Sequence, residues 1–302
     1  MNEDVIIITG INGFIGKMLL SKILSTFPNT RIIGIDRHAI GTDCEVCALD
    51  LQDLNDVESL LVKNKPIYVF HLAGSLYSKN WKTLYGDNVL TSINIMEAVY
   101  RNKLNSRIIL IGSAAEYGNI NQSNLPVSED CNLNPITPYG LSKVWQTNSM
   151  NYFLNLGIDV AMGRVFNIIG KGASEKQAIG AFINQIKLIQ SVKEPSIISV
   201  GNLKSMRDYL DIEDVCDGLT AIAKKGKRGQ VYNICSGNPI SIEDILRGLI
   251  EASQLNVEIV IDKVRFQAAD VNRIFGSNHN IAQDTSWKQQ ISIKDSLKEA
   301  IK

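Results

Sequence analysis

The chain predicts an α/β fold, a doubly wound parallel sheet followed by a smaller α/β unit. Three observations predict it. Short apolar runs alternate with stretches of helical spacing from the first residues onward. The runs are continuous rather than alternating, as strands buried on both faces read. The first run opens directly into a glycine-rich turn and a helix.

In chain order, residues 5–8 form the first strand, and the helical pattern over 15–27 stops before Pro28. Residues 32–35 form the next strand, and EVCALD a further one leading to Asp50. A helix over 53–62 is closed by Pro66. Strands at 67–72 and 108–111 flank a long helix near Thr91–Arg101. After about residue 165 the rhythm loosens. Helices at 178–190, 212–223 and 241–252 surround strands at 197–200, 231–234 and 257–261. The expected division is a large domain over 1–165 and a smaller unit over 166–302, some of whose segments return to the large sheet. The smaller unit is expected over the carboxyl ends of the strands, where such folds bind ligands. The loop 118–138, rich in Asn, Ser and Pro, reads as a functional rim.

Composition narrows the function. The 302 residues carry 31 Lys plus Arg against 31 Asp plus Glu, and 45% are hydrophobic. That excludes a disordered chain, and a chain of this length buries roughly 75% of its unfolded surface. Zero net charge argues against broad nucleic-acid binding. No apolar stretch reaches the ~18 residues that a membrane span needs. The start MNEDVIIITG is acidic and enters a strand at once, unlike a signal peptide. Five cysteines, an odd number, suggest a reducing, cytoplasmic setting. Cys44 and Cys47 form a CxxC but read as strand residues, because a zinc site would need two further ligands.

The first strand runs into TGINGFIG. Gly10 permits a tight turn, Gly13 lets a pyrophosphate approach the backbone, and Gly16 lets the helix pack on the sheet. A diphosphate then rests on free helix N–H groups. The expected cofactor contacts are Gly10, Asn12, Gly13, Phe14, Ile15 and Gly16. The second strand ends at Asp36, 20 residues after Gly16. A carboxylate there accepts the adenosine ribose hydroxyls and repels a 2′-phosphate, which favours NAD(H). Arg37 follows and would pair with a 2′-phosphate if turned inward, so NADP(H) stays open. Asp50 and Leu51 either touch the adenine or simply end a strand.

Tyr139 and Lys143 in YGLSK lie four residues apart on one helix face. Lys143, beside the cofactor, is expected to lower the Tyr139 pKa by favouring the phenolate. Tyr139 then exchanges a proton with a carbonyl or hydroxyl oxygen. Ser113, at the carboxyl end of a central strand, is expected to hold the same oxygen. A nicotinamide supplies the redox chemistry, and the protein orients it and stabilises the oxyanion. Asn88 in GDNVLTSIN either holds a water or backbone group beside Lys143 or faces solvent. His71 in HLAG lies near the nicotinamide and reads as a packed, hydrogen-bonded residue rather than a metal ligand, and no cluster suggests a metal. Leu72, Ala73 and Gly74 complete the expected cofactor contacts.

Together TGINGFIG, HLAG, GDNVLTSIN, GSAAEYG, TPYGLSK, GRVFNIIG, SMRDYLDIEDV and VYNICSG resemble, in order, the extended short-chain dehydrogenase/reductases that act on nucleotide-diphosphate sugars. The tail around Trp287 is similar to that family's closing segment. The resemblance implies a Rossmann-like extended fold with catalytic Ser113, Tyr139 and Lys143. Within the family, VFNIIGKG with Phe182 and Gln185, then GNLKSMRDYLDIEDV, most resemble the GDP-4-keto-6-deoxymannose reductases. Val165, Ile168, Lys171 and Ala173 depart from that branch's usual run RPFNHIGPGQ.

The resemblance implies that Asn167 holds the substrate diphosphate or its flanking backbone and that Arg207 pairs with the diphosphate. By sequence alone Arg207 pairs equally well with Asp208 or Asp211. Lys171, Arg164 and Arg273 are further candidates. Family dehydratases carry an acid or polar residue and then a glutamate directly after the catalytic Ser/Thr; here these positions are Ala114 and Ala115. Glu116 is displaced by one residue, and on an extended segment points to the opposite side. The resemblance thus implies reduction of the C4 ketone of a nucleotide-linked 4-keto-6-deoxy sugar, with a nucleotide-sugar 4-epimerase as the alternative. A non-enzymatic nucleotide sensor is disfavoured by the presence of both Tyr139 and Lys143. It also implies a homodimer through a four-helix bundle of helices near 84–101 and 139–156. Asn94, Ile95, Met96 and Val99 either seal that interface or face the sheet.

Overall fold

The computed structural model of the protein describes residues 3–38, 40–41, 43–78, 80–192, 196–262 and 273–302. β1 (Asp4–Thr9) passes through the glycine turn into α1 (Phe14–Thr26). β2 (Thr30–Asp36), β3 (Glu45–Ala48), α2 (Leu54–Asn64) and β4 (Tyr68–His71) follow. α2 starts at Asp53, whose carboxylate accepts the Asn55 and Asp56 N–H groups, and ends at Lys65 in the left-handed region. α3 (Trp81–Tyr85), a π-helical turn over Gly86–Leu90 and α4 (Thr91–Arg101) run on through helical junctions. β5 (Arg107–Ser113) precedes the long loop, and α5 (Pro138–Asn155) opens with Pro at its first turn and the Thr137 hydroxyl accepting the Gly140 N–H. β6 (Val160–Val165), β7 (Asn167–Ile169), α6 (Ala178–Val192), β8 (Ile197–Val200), β9 (Met206–Asp211) and α7 (Ile212–Lys225) come next. The chain closes with β10 (Val231–Ile234), β11 (Pro239–Ser241), α8 (Ile242–Ser253), β12 (Glu258–Ile261), β13 (Arg273–Ile274), α9 (His279–Thr285) and α10 (Ile293–Ile301).

Among the described residues, seven parallel strands form one sheet in the order β10-β6-β5-β4-β1-β2-β3. The chain steps outward from β1 to β3 and returns on the other side of β1, at β4. The strand order therefore reverses between β1 and β4, and a crevice opens there at the carboxyl ends. Both faces are covered, which is why the strands read as continuous apolar runs. One face packs Ile6 and Ile8 against Leu19 and Ile23 of α1 and Leu219 and Ile222 of α7. The other packs Ile7, Val69, Ile108 and Leu110 against α2, α4 and α5.

That second core decides between two expectations left open by the sequence. Ile95, Met96 and Val99 of α4 are buried in it at no more than 1% exposure. Asn94 donates to the Leu51 and Gln52 carbonyls. These four residues face inward, because α4 is sandwiched between the sheet, α2 and α5.

Later segments rejoin the large sheet: β10 pairs with β6, and α7 lies on the α1 face. The tail docks there too. Trp287 is buried and donates its indole N–H to the Asp214 carbonyl, while the Asp214 carboxylate accepts the Gln290 and Ile291 N–H groups. The remaining strands build a small second layer. β9 pairs with β7 and β13 in parallel and with β11 antiparallel, and β8 pairs with β12. Its core is formed by Ile179, Phe182, Ile186, Ile198, Leu246 and Leu297.

Candidate active site

At the end of β1, Gly10 has φ +68°, and a Cβ there would lie 2.8 Å from the Ala73 backbone nitrogen. Only glycine lets the first turn lie this close to the loop after β4. Gly13 caps α1 with no side-chain hydrogen bond and no acidic residue in the first turn. The first N–H groups of this helix, at its positive end, are left for an anion. Gly16 is buried, and Phe14 and Ile15 pack at the edge of the α1 core. Asn12 donates its backbone N–H to Asp36 at 3.1 Å and its side-chain amide to the His38 carbonyl. Its Oδ1 is buried without a protein partner. A close backbone turn, an uncapped helix end and an orphaned acceptor beside a carboxylate fit a nicotinamide dinucleotide.

Asp36 ends β2, half-buried, and also accepts the Arg37 N–H. The exposed Arg37 guanidinium is 3.7 Å from Asp87, which accepts from Gln52 as well. Asp50 is exposed and accepts the Gln52 N–H, while the Leu51 side chain is buried in the second core.

The expected reacting group, Ser113 with Tyr139 and Lys143, lies where β5 and α5 meet. Ser113 is the last residue of β5, and Lys143 donates to the Ile111 carbonyl at 2.9 Å and to Gln146 at 3.0 Å. Leu72 and Ala73 send their N–H groups to the Thr9 hydroxyl. A Cβ on Gly74 would lie 2.7 Å from Asn88 Oδ1 and 3.9 Å from Lys143 Nζ, so the HLAG loop, the π turn and α5 converge. Asn88 is fully buried: it accepts the Ser75 N–H and donates to the Ser75 carbonyl and Ser142 hydroxyl. Of its two readings, the backbone-holding one is what the structure shows.

His71 is buried between Thr9 (2.8 Å) and Thr91 (3.3 Å). The Thr9 hydroxyl already accepts two N–H groups, so its proton goes to His71 Nδ1; Thr91 donates to the Asp87 carbonyl, so Nε2–H donates to Thr91. Burial, with Lys143 nearby, pushes the imidazole down to about 3. It is a neutral packing residue.

The electrostatics correct one expectation. Tyr139 is raised to about 12 rather than lowered. Burial is the main cause; a hydrogen bond from Ser113 opposes it, and Glu116 and Tyr77 reinforce it. Lys143 is itself pushed down to about 8 by burial, with Glu116 opposing. Its ammonium is turned to Ile111 and Gln146, so withdrawal from water outweighs its pull on the phenol.

The segment after Ser113 is a tight 3-10 turn over Ala114–Glu116, not an extended strand. The turn returns Glu116 beneath Ser113, where its carboxylate accepts the Ser113 N–H. Arg164 is corrected as well: at 2% exposure it pairs with Glu116 at 2.8 Å and donates to the Tyr117 hydroxyl, so it serves the interior rather than a ligand. The Ala114 and Ala115 methyls are half-buried and carry no exchangeable proton.

On the opposite wall, Asn167 of β7 donates to the Asp208 carbonyl. Asp208 is buried and accepts from Ser236, Gly237 and Gly276, and Asp211 caps α7 through Glu213. Side chains alternate along β9, so Arg207 faces away from Asp208; it donates to the Met206 carbonyl. Arg273 lies on the neighbouring strand, paired with Met206, its exposed guanidinium over the Phe275 ring at 4.9 Å. Lys171 occupies the exposed turn after β7, toward Glu299.

Sequence reasoning did not single out Ser142, Gln146 and Thr147. All three are buried polar residues on the inner face of α5. The available signal was the lack of apolar residues at helical spacing around Lys143. Among the described residues no cluster of His, Cys, Asp or Glu could hold a metal ion, and no helix is long and apolar enough to cross a membrane.

The model of the "NAD dependent epimerase/dehydratase family" matches residues 6–235. The chain is 28% identical over 299 residues to GDP-6-deoxy-D-mannose reductase of Pseudomonas aeruginosa, covering 96% of this chain and 94% of that one. It is also 28% identical over 308 residues to a putative UDP-glucose 4-epimerase of Methanocaldococcus jannaschii, covering 98% and 97%. The solved structure of RMD from Pseudomonas aeruginosa complexed with NADPH superposes with a TM-score of 0.86 at 26% identity, covering 99% of this chain and 97% of that one.

Proposed function

This chain belongs to the NAD dependent epimerase/dehydratase family, and we propose that within it the protein is a 4-ketoreductase. It reduces the C4 ketone of a nucleotide-linked 4-keto-6-deoxy sugar, GDP-4-keto-6-deoxymannose foremost, with NADH and to a lesser degree NADPH. The observation that carries the reading is a half-buried Tyr139 hydrogen-bonded with Ser113, next to Ala114 and Ala115, which have no proton to trade.

When bound, the cofactor supplies the hydride through its nicotinamide. It is held by the turn from Gly10 to Gly16, by Asp36, and by the loop Leu72, Ala73 and Gly74. Ser113 and Tyr139 hold the C4 oxygen, and Tyr139 gives it a proton as the carbonyl becomes a hydroxyl. The charge then left on Tyr139 is stabilised by Lys143, four residues along the same helix. Dehydration would need a general base and a general acid near sugar C5 and C6, and Ala114 and Ala115 offer neither. Residues 1–165 hold the cofactor, and the nucleotide sugar lies mostly on 166–302. There Arg207 and Arg273 on neighbouring strands suit a diphosphate, with Asn167 of β7 and Lys171 in the turn after it as further contacts.

The active form is a homodimer. α3 and α5 expose Trp81, Tyr85, Trp145 and Tyr152, and the Trp145 ring meets Trp81 at 5.9 Å in a tilted contact and Tyr85 at 6.3 Å edge-on. A cluster of exposed aromatic rings suits a self-complementary contact with a second copy. The odd number of cysteines, five, supports work in a reducing cytoplasm.

The test is to offer GDP-4-keto-6-deoxymannose with stoichiometric NAD(P)H, and separately GDP-mannose with catalytic NAD. Cofactor oxidation with a 6-deoxyhexose product is expected from the first, and no keto sugar from the second. A 4-keto product from GDP-mannose would overturn the argument from the two alanines.

A further inference from the structure

Behind Ser113 lies a buried ion pair, joined to a chain of polar groups, that ketone reduction does not consume. Glu116 is fully buried. One carboxylate oxygen accepts the Ser113 N–H at 2.8 Å; the other accepts the Thr147 hydroxyl at 2.7 Å and Arg164 at 2.8 Å. Arg164 lies over the Tyr117 ring at 4.7 Å and donates to its hydroxyl, which donates to Asn233. Asn233 in turn donates its backbone N–H to Glu129, which also accepts from Asn280. Burying an ion pair is no efficient route to stability, since well-packed apolar residues often serve as well. The pair's geometry points elsewhere: both carboxylate oxygens are committed to the strand end and the helix that carry Ser113, Tyr139 and Lys143.

We propose that Glu116 is a positioning residue for the proton transfer: its carboxylate fixes the Ser113 peptide from behind the cleft and sets one negative charge opposite the Tyr139–Lys143 pair. The proposal rests on the reading of Ser113, Tyr139 and Lys143 as the reacting group. Tyr139 is faced by Ser113, Glu116 and Tyr77; Lys143 by Glu116, with the neutral His71 nearby; Glu116 itself by Arg164, Thr147 and Ser113. In this surround the carboxylate acts the same way on both members of the pair. It disfavours the Tyr139 phenolate and favours the Lys143 ammonium. Both effects keep the site loaded with the proton that a reductase must deliver.

Glu116→Gln keeps the shape and removes the charge. Two readouts separate a positioning role from a merely structural one. The first is the pH profile of single-turnover hydride transfer to the 4-keto sugar. The second is an NMR titration of the Lys143 side chain, assigned by its loss in Lys143→Met, which needs no substrate. In Glu116→Gln the alkaline limb of hydride transfer should move to lower pH. Lys143 should titrate below the parent's value of about 8. Neutral-pH hydride transfer should fall about 10-fold, part of the roughly 10²–10⁴ that acid catalysis supplies, with KM little changed. Glu116→Asp, which keeps the charge on a shorter stem, should restore the pH profile but not the full rate. If Glu116→Gln does not fold, Glu116→Gln with Arg164→Met removes both buried charges and is read in the same way. An unmoved alkaline limb and an unmoved Lys143 titration, with only a lower melting temperature, would overturn the proposal. A parent enzyme that transfers no hydride to the keto sugar would instead count against the ketoreductase reading, and the Lys143 titration would still decide the role of Glu116.

Discussion

The two walls of the cleft are built differently. On the β5–α5 wall Asn88, Lys143, Gln146, Glu116 and Arg164 are buried and hydrogen-bonded to the backbone or to neighbouring side chains. On the β7–β9–β13 wall, Arg273 and Lys171 are exposed and Arg207 half-buried; Arg207 donates to the Met206 carbonyl and Arg273 lies over the Phe275 ring. On the proposed reading, the difference teaches that the proton-transfer geometry comes with the fold, whereas sugar recognition is left to long, adaptable side chains. Changes on the first wall should therefore appear in rate and stability, and changes on the second in substrate affinity.

The largest effect should follow Tyr139→Phe. Hydride transfer at saturating cofactor should fall by about 10²–10⁴ while cofactor affinity stays near the parent's. Stopped-flow traces as fast as the parent's would remove Tyr139 from the chemistry and with it the contrast between the walls. Next, Arg164→Met alone strands the Glu116 charge in the interior and should cost about 3–5 kcal/mol of stability, read from denaturant midpoints. On the other wall, Arg207→Ala should raise KM by about 10- to 100-fold, the worth of roughly 1.5–3 kcal/mol for a charged hydrogen bond, with kcat nearly unchanged. A fall in kcat at constant KM would show that this wall, too, serves the chemistry.

Much of the first wall was legible in the sequence because it is local. YGLSK sets Tyr139 over Lys143 by helix geometry alone, and Ser113 follows a strand whose end is easily read. The glycine turn and Asp36 were legible for the same reason. What escaped was long-range. The Glu116–Arg164 pair joins residues 48 apart, and Asn88 meets Ser142 across 54. The direction of the Tyr139 shift also escaped, since burial is a property of the assembled walls rather than of the spacing. Glu116 does point away from the pocket, as expected, but through a three-residue turn rather than an extended segment. The α4 stretch Ile95, Met96 and Val99 is apolar whichever way it faces, so only packing settles its direction.

Smaller effects sharpen the contrast. His71 takes up its proton in the folded state only near 3, against 6.5 for an ordinary histidine. The unfolded chain therefore binds a proton that the folded one refuses, and the His71 contribution, complete above 6.5, is lost as pH falls from there toward 3. Urea midpoints measured across that range should decline less steeply in His71→Asn than in the parent; equal slopes would place the acid sensitivity elsewhere. At the cofactor end, Asp36→Ala should shift preference toward NADPH by relieving repulsion of the 2′-phosphate. Calorimetric titration of both cofactors checks this, and tighter NADPH binding by the parent would show that Arg37 governs the site.

The most direct test of the central claim follows one hydrogen. NADH carrying deuterium at the transferable position of nicotinamide C4 is mixed with GDP-4-keto-6-deoxymannose and the parent enzyme. A protonated Tyr139 beside Ser113 predicts one deuterium at sugar C4 for each cofactor oxidised, in a 6-deoxyhexose product. Interconversion of fully hydroxylated nucleotide sugars at C4 without net cofactor use, and no deuterium gained from the keto sugar, would contradict it and assign the same residues to an epimerase.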